Sequence, residues 1–217
     1  QRVPSARAKN FHDAHTRLAV VMMQKFHIAL PRIDSYRGPV NANDTLKRKM
    51  QTRPRMADLN GCPAAEFIRV VGPVFEHSPW IAEQTAPLRP FANVDALHRS
   101  LCDTVRRSPE EQQLALIRAH PDLVGRAALA GTLTPASTGE QAAAGLNQLT
   151  PDEISQFQTQ NAAYRAKFDF PFVICARLNK KEAIIEGFVR RLKNSRGQEI
   201  AAALEEIFKI AALRLRD

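Results

Sequence analysis

From Met56 to Arg216 the apolar residues recur three and four positions apart, and that spacing confines the chain to packed helices. Phe67, Val70, Val71, Val74 and Phe75 form one stripe, interrupted at Gly72-Pro73. Val94, Leu97, Leu101 and Val105 form the next, and Ile154, Phe157, Tyr164 and Phe168 a third. Ile184, Ile185, Phe188 and Leu192 face inward on a helix expected over Asn179 to Leu192. Ile200, Leu204, Ile207, Phe208 and Ala211 do so on a last helix over Gln198 to Arg216. Start signals punctuate these stripes. Ser78 reads as an N-cap with Pro79 at the first helical position, and Ser108-Pro-Glu-Glu111 and Thr150-Pro-Asp-Glu153 read as capping boxes. Only Phe170 to Cys175, FPFVIC, reads as extended, and one such segment cannot make a sheet. The expected fold class is therefore all-α. It is a compact single-domain multi-helix bundle with one short extended segment lining a site.

Charge divides the chain into a leader, residues 1–54, and a helical domain, residues 55–217. The formal net charge of +9 invites a nucleic-acid reading. Residues 1–54 hold 11 Lys/Arg against 3 Asp/Glu, whereas the rest holds 20 against 19, so the helical domain has no basic excess to offer a phosphate backbone. The leader lacks apolar period beyond a short helix at Val20 to Leu30 and is expected to be disordered and to carry no chemistry. Its His12-x-x-His15 has helical metal spacing without further ligands, and Met50 or Met56 is an alternative initiator. Cys62, Cys102 and Cys175 are isolated, which argues against disulfides or a zinc site and suits a reducing, cytoplasmic compartment. No apolar run approaches the roughly 18 residues of a membrane span.

Leu116 to Leu146 draws the eye as a site. A helix breaks at His120-Pro121, the chain crosses a Gly/Ala/Thr-rich loop, and a helix restarts at Ser137. His120 is thereby placed at a helix C-terminus, where a cation is favoured and the imidazole's proton affinity should rise. Glu140 could meet it across the loop. Ser137-x-x-Glu140 is equally a plain capping box, and a His at a helix end is often only a cap. His77 and Trp80 read as capping and packing groups.

Five motifs in one order carry a resemblance. They are Glu76-His-Ser-Pro-Trp80 with Ala82-Glu83, His120-Pro-Asp-Leu123, Ser137-x-x-Glu140-Gln141 leading to Ala144-Gly-Leu146, Phe170-Pro-Phe-Val-Ile-Cys-Ala-Arg177, and Leu213-Arg-Leu215. Together they resemble the OHCU decarboxylases, the 2-oxo-4-hydroxy-4-carboxy-5-ureidoimidazoline decarboxylases of urate breakdown. The resemblance implies an all-helical homodimer that makes (S)-allantoin and carbon dioxide from a small-molecule substrate without cofactor, metal, nucleic acid or membrane. In a eukaryote it would also allow a peroxisomal location. Carried over by position, the catalytic His falls on His120, the catalytic Glu on Glu140 and the C-terminal arginine on Arg214. Substrate-binding positions fall on Pro121, on Ser137, Thr138, Gly139, Glu140 and Gln141, and on Phe172, Val173, Ile174, Cys175 and Ala176. Arg177, next to that segment, is a second choice for a substrate-binding arginine.

The chemistry such a substrate needs agrees with these residue types. Its carboxylate lies one carbon from a ring C=N bond that can take up the electrons when carbon dioxide leaves. The protein must then supply orientation, charge management and one stereospecific proton. An imidazole can move the proton, a carboxylate can orient the imidazole or bind the hydroxyl, and an arginine fork can grip a carboxylate. The competing readings are another small-molecule lyase or hydrolase on the same helical frame, and nucleic-acid binding through the leader.

Overall fold

The computed structural model describes residues 54–217. The basic leader, with His12-x-x-His15 and the helix expected at Val20 to Leu30, lies outside the described residues. In chain order the helices are α1 (Met56–Gly61), α2 (Ala64–Val71), α3 (Trp80–Thr85), α4 (Val94–Arg107), α5 (Glu110–Ala119), α6 (Arg126–Leu129), α7 (Pro135–Ala143), α8 (Pro151–Phe168), α9 (Lys181–Arg191) and α10 (Arg196–Arg214). Short 3-10 turns at Gly72–Val74, Ala86–Leu88 and Ala176–Leu178 join some of them. No strand forms among the described residues.

The helix ends explain which start signals held. Thr150 caps α8 as expected, its Oγ1 accepting from the Glu153 N–H while the Glu153 carboxylate accepts from the Thr150 N–H at 2.8 Å. Ser195 and Gln198 make the same reciprocal pair on α10, so that helix starts two residues earlier than the apolar stripe suggested. Ser108 does not cap α5. Its hydroxyl turns back to donate to Val105 O at 2.7 Å at the end of α4, and Pro109 takes the cap position. Ser137 is not a cap either. Helix α7 starts at Pro135 with Thr134 as N-cap, accepting from the Ser137 N–H. The hydroxyl of Ser137 and the carboxylate of Glu140 are thereby released from capping. His77 neither packs nor caps; it sits at φ 46 with an exposed side chain, while Trp80 opens α3 and packs partly against the core.

The core gathers around FPFVIC. Phe170, Phe172, Phe168, Phe188, Phe157 and Tyr164 are all fully buried. Phe172 stacks on Phe188 with centroids 3.8 Å apart and meets Tyr164 edge-on at 5.2 Å. Each such pair adds about 0.5–1.5 kcal/mol beyond area burial. Helix α9 can come this close because Gly187 faces the segment: a Cβ there would lie 3.3 Å from Phe172 Cζ. An extended segment without a ladder must satisfy its peptide groups elsewhere. Arg191 Nη1 donates to Val173 O at 2.6 Å, and the Cys175 N–H donates to Glu206 at 2.8 Å. Among the described residues the peptide groups of Phe172 and Ile174 and the N–H of Val173 make no hydrogen bond.

Candidate active site

His120 closes α5. Its φ of −76° and ψ of 138° are those of a residue turned out of the helix by the following proline. Its Nδ1 lies 2.9 Å from Leu116 O. A carbonyl can only accept, so neutral His120 carries its proton on Nδ1 and leaves the lone pair on Nε2. The expectation that a helix end would raise its proton affinity is overturned. The side chain is buried, and loss of hydration pushes the imidazole down to about 4. The Leu116 carbonyl and the Glu76 charge pull it upward, while Arg214 and His77 push it further down.

The loop after Pro121 is held under strain. Val124 has φ 54, a region that a β-branched residue rarely enters. Two side chains hold it there. The Gln141 amide oxygen accepts from the Val124 N–H at 3.1 Å, and Asn161 Nδ2 donates to Leu123 O at 2.8 Å. A Cβ on Gly125 would meet Asp122 Cβ at 2.7 Å, so the turn requires glycine. Strain kept by bonds from two other helices, beside a titratable group, is a site signature.

Helix α7 sorts the stretch 137–141 by period. Ser137, Glu140 and Gln141 share one face, whereas Thr138 and Gly139 point to solvent. Glu140 takes a two-pronged bond from Arg214, at 2.7 Å from Nε and 2.8 Å from Nη2. Arg214 Nη1 donates to Glu76 at 2.9 Å, with Val74 O at 3.5 Å, and Nη2 also reaches Ser137 Oγ at 3.4 Å. All five guanidinium hydrogens thus point at acceptors in the protein. Glu76 is buried and accepts in addition from Thr134 at 2.9 Å and Ser137 at 3.2 Å. Burial pushes its carboxyl up, but the charge of Arg214 and the bonds from Thr134 and Arg214 outweigh that, and the net shift is downward.

These parts enclose a cavity lined by His120, Pro121, Leu123, Ser137, Glu140, Gln141, Phe172, Val173, Ile174, Ala176 and Ile210. Its free volume is about 30 Å³, so a ring-sized ligand enters only as the lining side chains draw apart. His120 and Glu140 face this one space, but each has its own partner, Leu116 O and Arg214, rather than the other. The structure also brings in Leu123, which the His120-Pro-Asp-Leu123 motif held without a site role, and Ile210, which no sequence motif singled out. It leaves out Thr138, Gly139, the buried Cys175 and Arg177, whose guanidinium pairs with Asp217. Arg214 stands behind Glu140 and opens onto a second cavity of about 710 Å³. Glu76 escaped sequence reasoning. It opens the Glu76-His-Ser-Pro-Trp80 motif, but nothing in that motif gives it a partner or a role. Among the described residues no three His, Cys, Asp or Glu side chains form a metal-holding group.

The profile of the family described as OHCU decarboxylase matches residues 60–216. This chain belongs to the OHCU decarboxylase family. It is similar to a 2-oxo-4-hydroxy-4-carboxy-5-ureidoimidazoline decarboxylase of Halalkalicoccus jeotgali, 40% identical over 166 residues that cover 76% of this chain and 92% of that one. It is likewise 40% identical over 166 residues to a uric acid degradation bifunctional protein of a Bacillus species, covering 75% of this chain and 32% of that one. Among solved structures it is similar to an (S)-allantoin synthase, with a TM-score of 0.61 and 29% identity over 75% of this chain. This family member spans only 52% of that solved chain.

Proposed function

We propose that this chain is a carboxy-lyase converting 2-oxo-4-hydroxy-4-carboxy-5-ureidoimidazoline to (S)-allantoin and carbon dioxide in urate breakdown, with the His120 cavity as its site. The observation that carries the site is the convergence of a neutral imidazole and an Arg-fixed carboxylate on one apolar cavity. The bond between the ring carbon and its carboxylate breaks. The electron pair forms a ring C=C bond, and the former imine nitrogen takes a proton. The hydroxyl then loses its proton to become a carbonyl, and the neighbouring carbon gains one. Carbon dioxide leaves, and the net uptake is one proton. His120 Nε2 is suited to accept the hydroxyl proton and return it to carbon from one face, which fixes the stereochemistry. Acid–base help of this kind contributes about a hundredfold to ten-thousandfold in rate.

Glu140 orients the substrate's hydroxyl, and Gln141 and the free peptide groups of Phe172 to Ile174 receive its urea-like edges. Arg214 serves by holding Glu140 rather than by gripping substrate, because its donors are already engaged. Thr138, Gly139, Cys175 and Arg177 support the site from outside the cavity. Since the ring imine takes up the electrons, the reaction proceeds without a cofactor. The enzyme works as a homodimer in the cytoplasm, with residues 1–54 outside the chemistry; light scattering on the purified chain checks the dimer. No helix among the described residues is long and apolar enough to cross a membrane. The deciding experiment mixes enzyme with freshly generated substrate and follows optical rotation. Rapid appearance of (S)-allantoin, lost in His120→Asn, is expected; unchanged turnover in that variant refutes the site.

A further inference from the structure

The His120 cavity is lined by one carboxylate, one imidazole and no cation, although the substrate brings a carboxylate of its own. The buried guanidinium nearest to Glu140 is shared. Arg214 bonds Glu140 on one side and Glu76 on the other, so two carboxylates divide one positive charge. No second buried cation makes up the balance among the described residues. His77 approaches Glu76 at 3.9 Å, but its side chain is 69% exposed, so water screens any charge it carries. Arg69, on the rim of the second cavity, is paired with Glu66, and Arg177 is paired with Asp217. Within a poorly hydrated site such an imbalance is felt strongly. A third buried carboxylate also carries a desolvation cost that a one-to-one pair avoids.

We propose that Glu76 is a positioning residue for charge: by drawing on Arg214 from behind, it leaves Glu140 only partly compensated and makes the cavity wall net negative. The substrate's carboxylate then enters under electrostatic stress, which its departure as neutral carbon dioxide relieves. The uptake of the electron pair by the ring moves the charge away from this wall in the same step. The inference rests on the His120 cavity being the site of decarboxylation.

Steady-state kinetics of Glu76→Gln provides the test; this isosteric change keeps one acceptor oxygen for Ser137 and Arg214 and turns its amide N–H toward Thr134, whose hydroxyl can accept. Relief of ground-state stress lowers kcat and KM together, here by about tenfold and about threefold. A structural role for Glu76 gives no fall in KM. Binding by calorimetry adds a second readout. Orotate, a cyclic ureide bearing a carboxylate, should bind about threefold tighter to the variant, while neutral (S)-allantoin stays within about twofold. Ala136→Lys places a cation at an exposed position on the second cavity, and it should shift KM and orotate affinity in the same directions by less. It decides the matter if Glu76→Gln fails to fold by circular dichroism. Unchanged or weaker orotate binding with unchanged or higher KM, in the folded variants, overturns the inference. If that occurs while His120→Asn is inactive, only the charge inference fails. Wild-type turnover in His120→Asn overturns both.

Discussion

Two buried arginines organise this molecule, and they differ in how many carboxylates they serve. Arg191 on α9 pairs with Glu199 alone, and the remaining valences are closed by neutral groups. Asn194 donates to the second Glu199 oxygen at 2.7 Å, Tyr164 donates to the first, and Arg191 itself donates to Val173 O. Its guanidinium also lies 4.5 Å over the Phe172 ring. That network is charge-balanced and holds a wall. Arg214 on α10 serves Glu76 and Glu140 together, and its network faces a cavity that holds a neutral imidazole. Similar residue types thus give a structural anchor in one place and a charged working surface in the other. The stoichiometry of charge separates the two.

The comparison breaks most visibly through activity. His120→Asn and Glu140→Gln should each lower kcat about a hundredfold to ten-thousandfold with circular dichroism unchanged, and the double variant should lose far less than the product of the two. Thr134 rather than Ser137 caps α7, so a loss in Glu140→Gln cannot be put down to a broken capping box. Near-normal turnover in Glu140→Gln removes the Arg214 network from the chemistry, and in His120→Asn it removes the cavity. Next comes stability. Arg191→Met strands a fully buried Glu199 and should cost about 3–5 kcal/mol by urea unfolding, a loss that Glu140→Gln should not share. Equal losses would mean that both networks are structural.

A smaller effect follows from His120. Its folded-state value lies below that of the unfolded chain, so the unfolded state binds more protons between the two. Its contribution is present above about pH 6.5 and is lost as pH falls toward about 4, by a few kcal/mol at most. Urea midpoints across that range should flatten in His120→Asn, and an unchanged slope in that variant contradicts the buried neutral imidazole. The least change is expected from two removals. Exhaustive dialysis against a chelator should leave turnover within about twofold, and a loss restored by a divalent metal contradicts the imine as electron sink. A chain starting at Met56 should keep its melting temperature and turnover, and a marked fall in either would give residues 1–54 a role.

Much of this was readable in the residues. The stripes Leu97-Leu101-Val105 and Ile200-Leu204-Ile207-Phe208-Ala211 are buried as their period required, and the Thr150 box forms as written. His120 was placed at the end of its helix by Pro121, and FPFVIC was read as an extended lining. The start signals that failed share one cause: a short window of sequence does not contain the contacts that divert a side chain. Within Ser137 to Gln141, the stretch the resemblance implies for substrate binding, a helix turns Thr138 and Gly139 toward solvent. Ser108 does not cap, and of the two readings open for Ser137 the fold rejects the cap: a hydroxyl three residues before an acid can always cap, and local spacing cannot tell which serine the fold diverts.

Local rules determined that these segments are helices, which faces they bury and that His120 ends one of them, because hydrogen-bond closure and apolar period act within a few residues. The tertiary structure decided what those rules cannot reach. Burial reversed the expected shift of His120, a change that depends on everything packed around it. The fold brought Glu76 within 2.9 Å of Arg214, 138 residues away along the chain. It likewise set Arg191 against Val173 O and Glu199. Which carboxylates share which guanidinium is decided by long-range packing in a poorly hydrated interior, where charge is costly and one uncompensated group changes what a cavity can do.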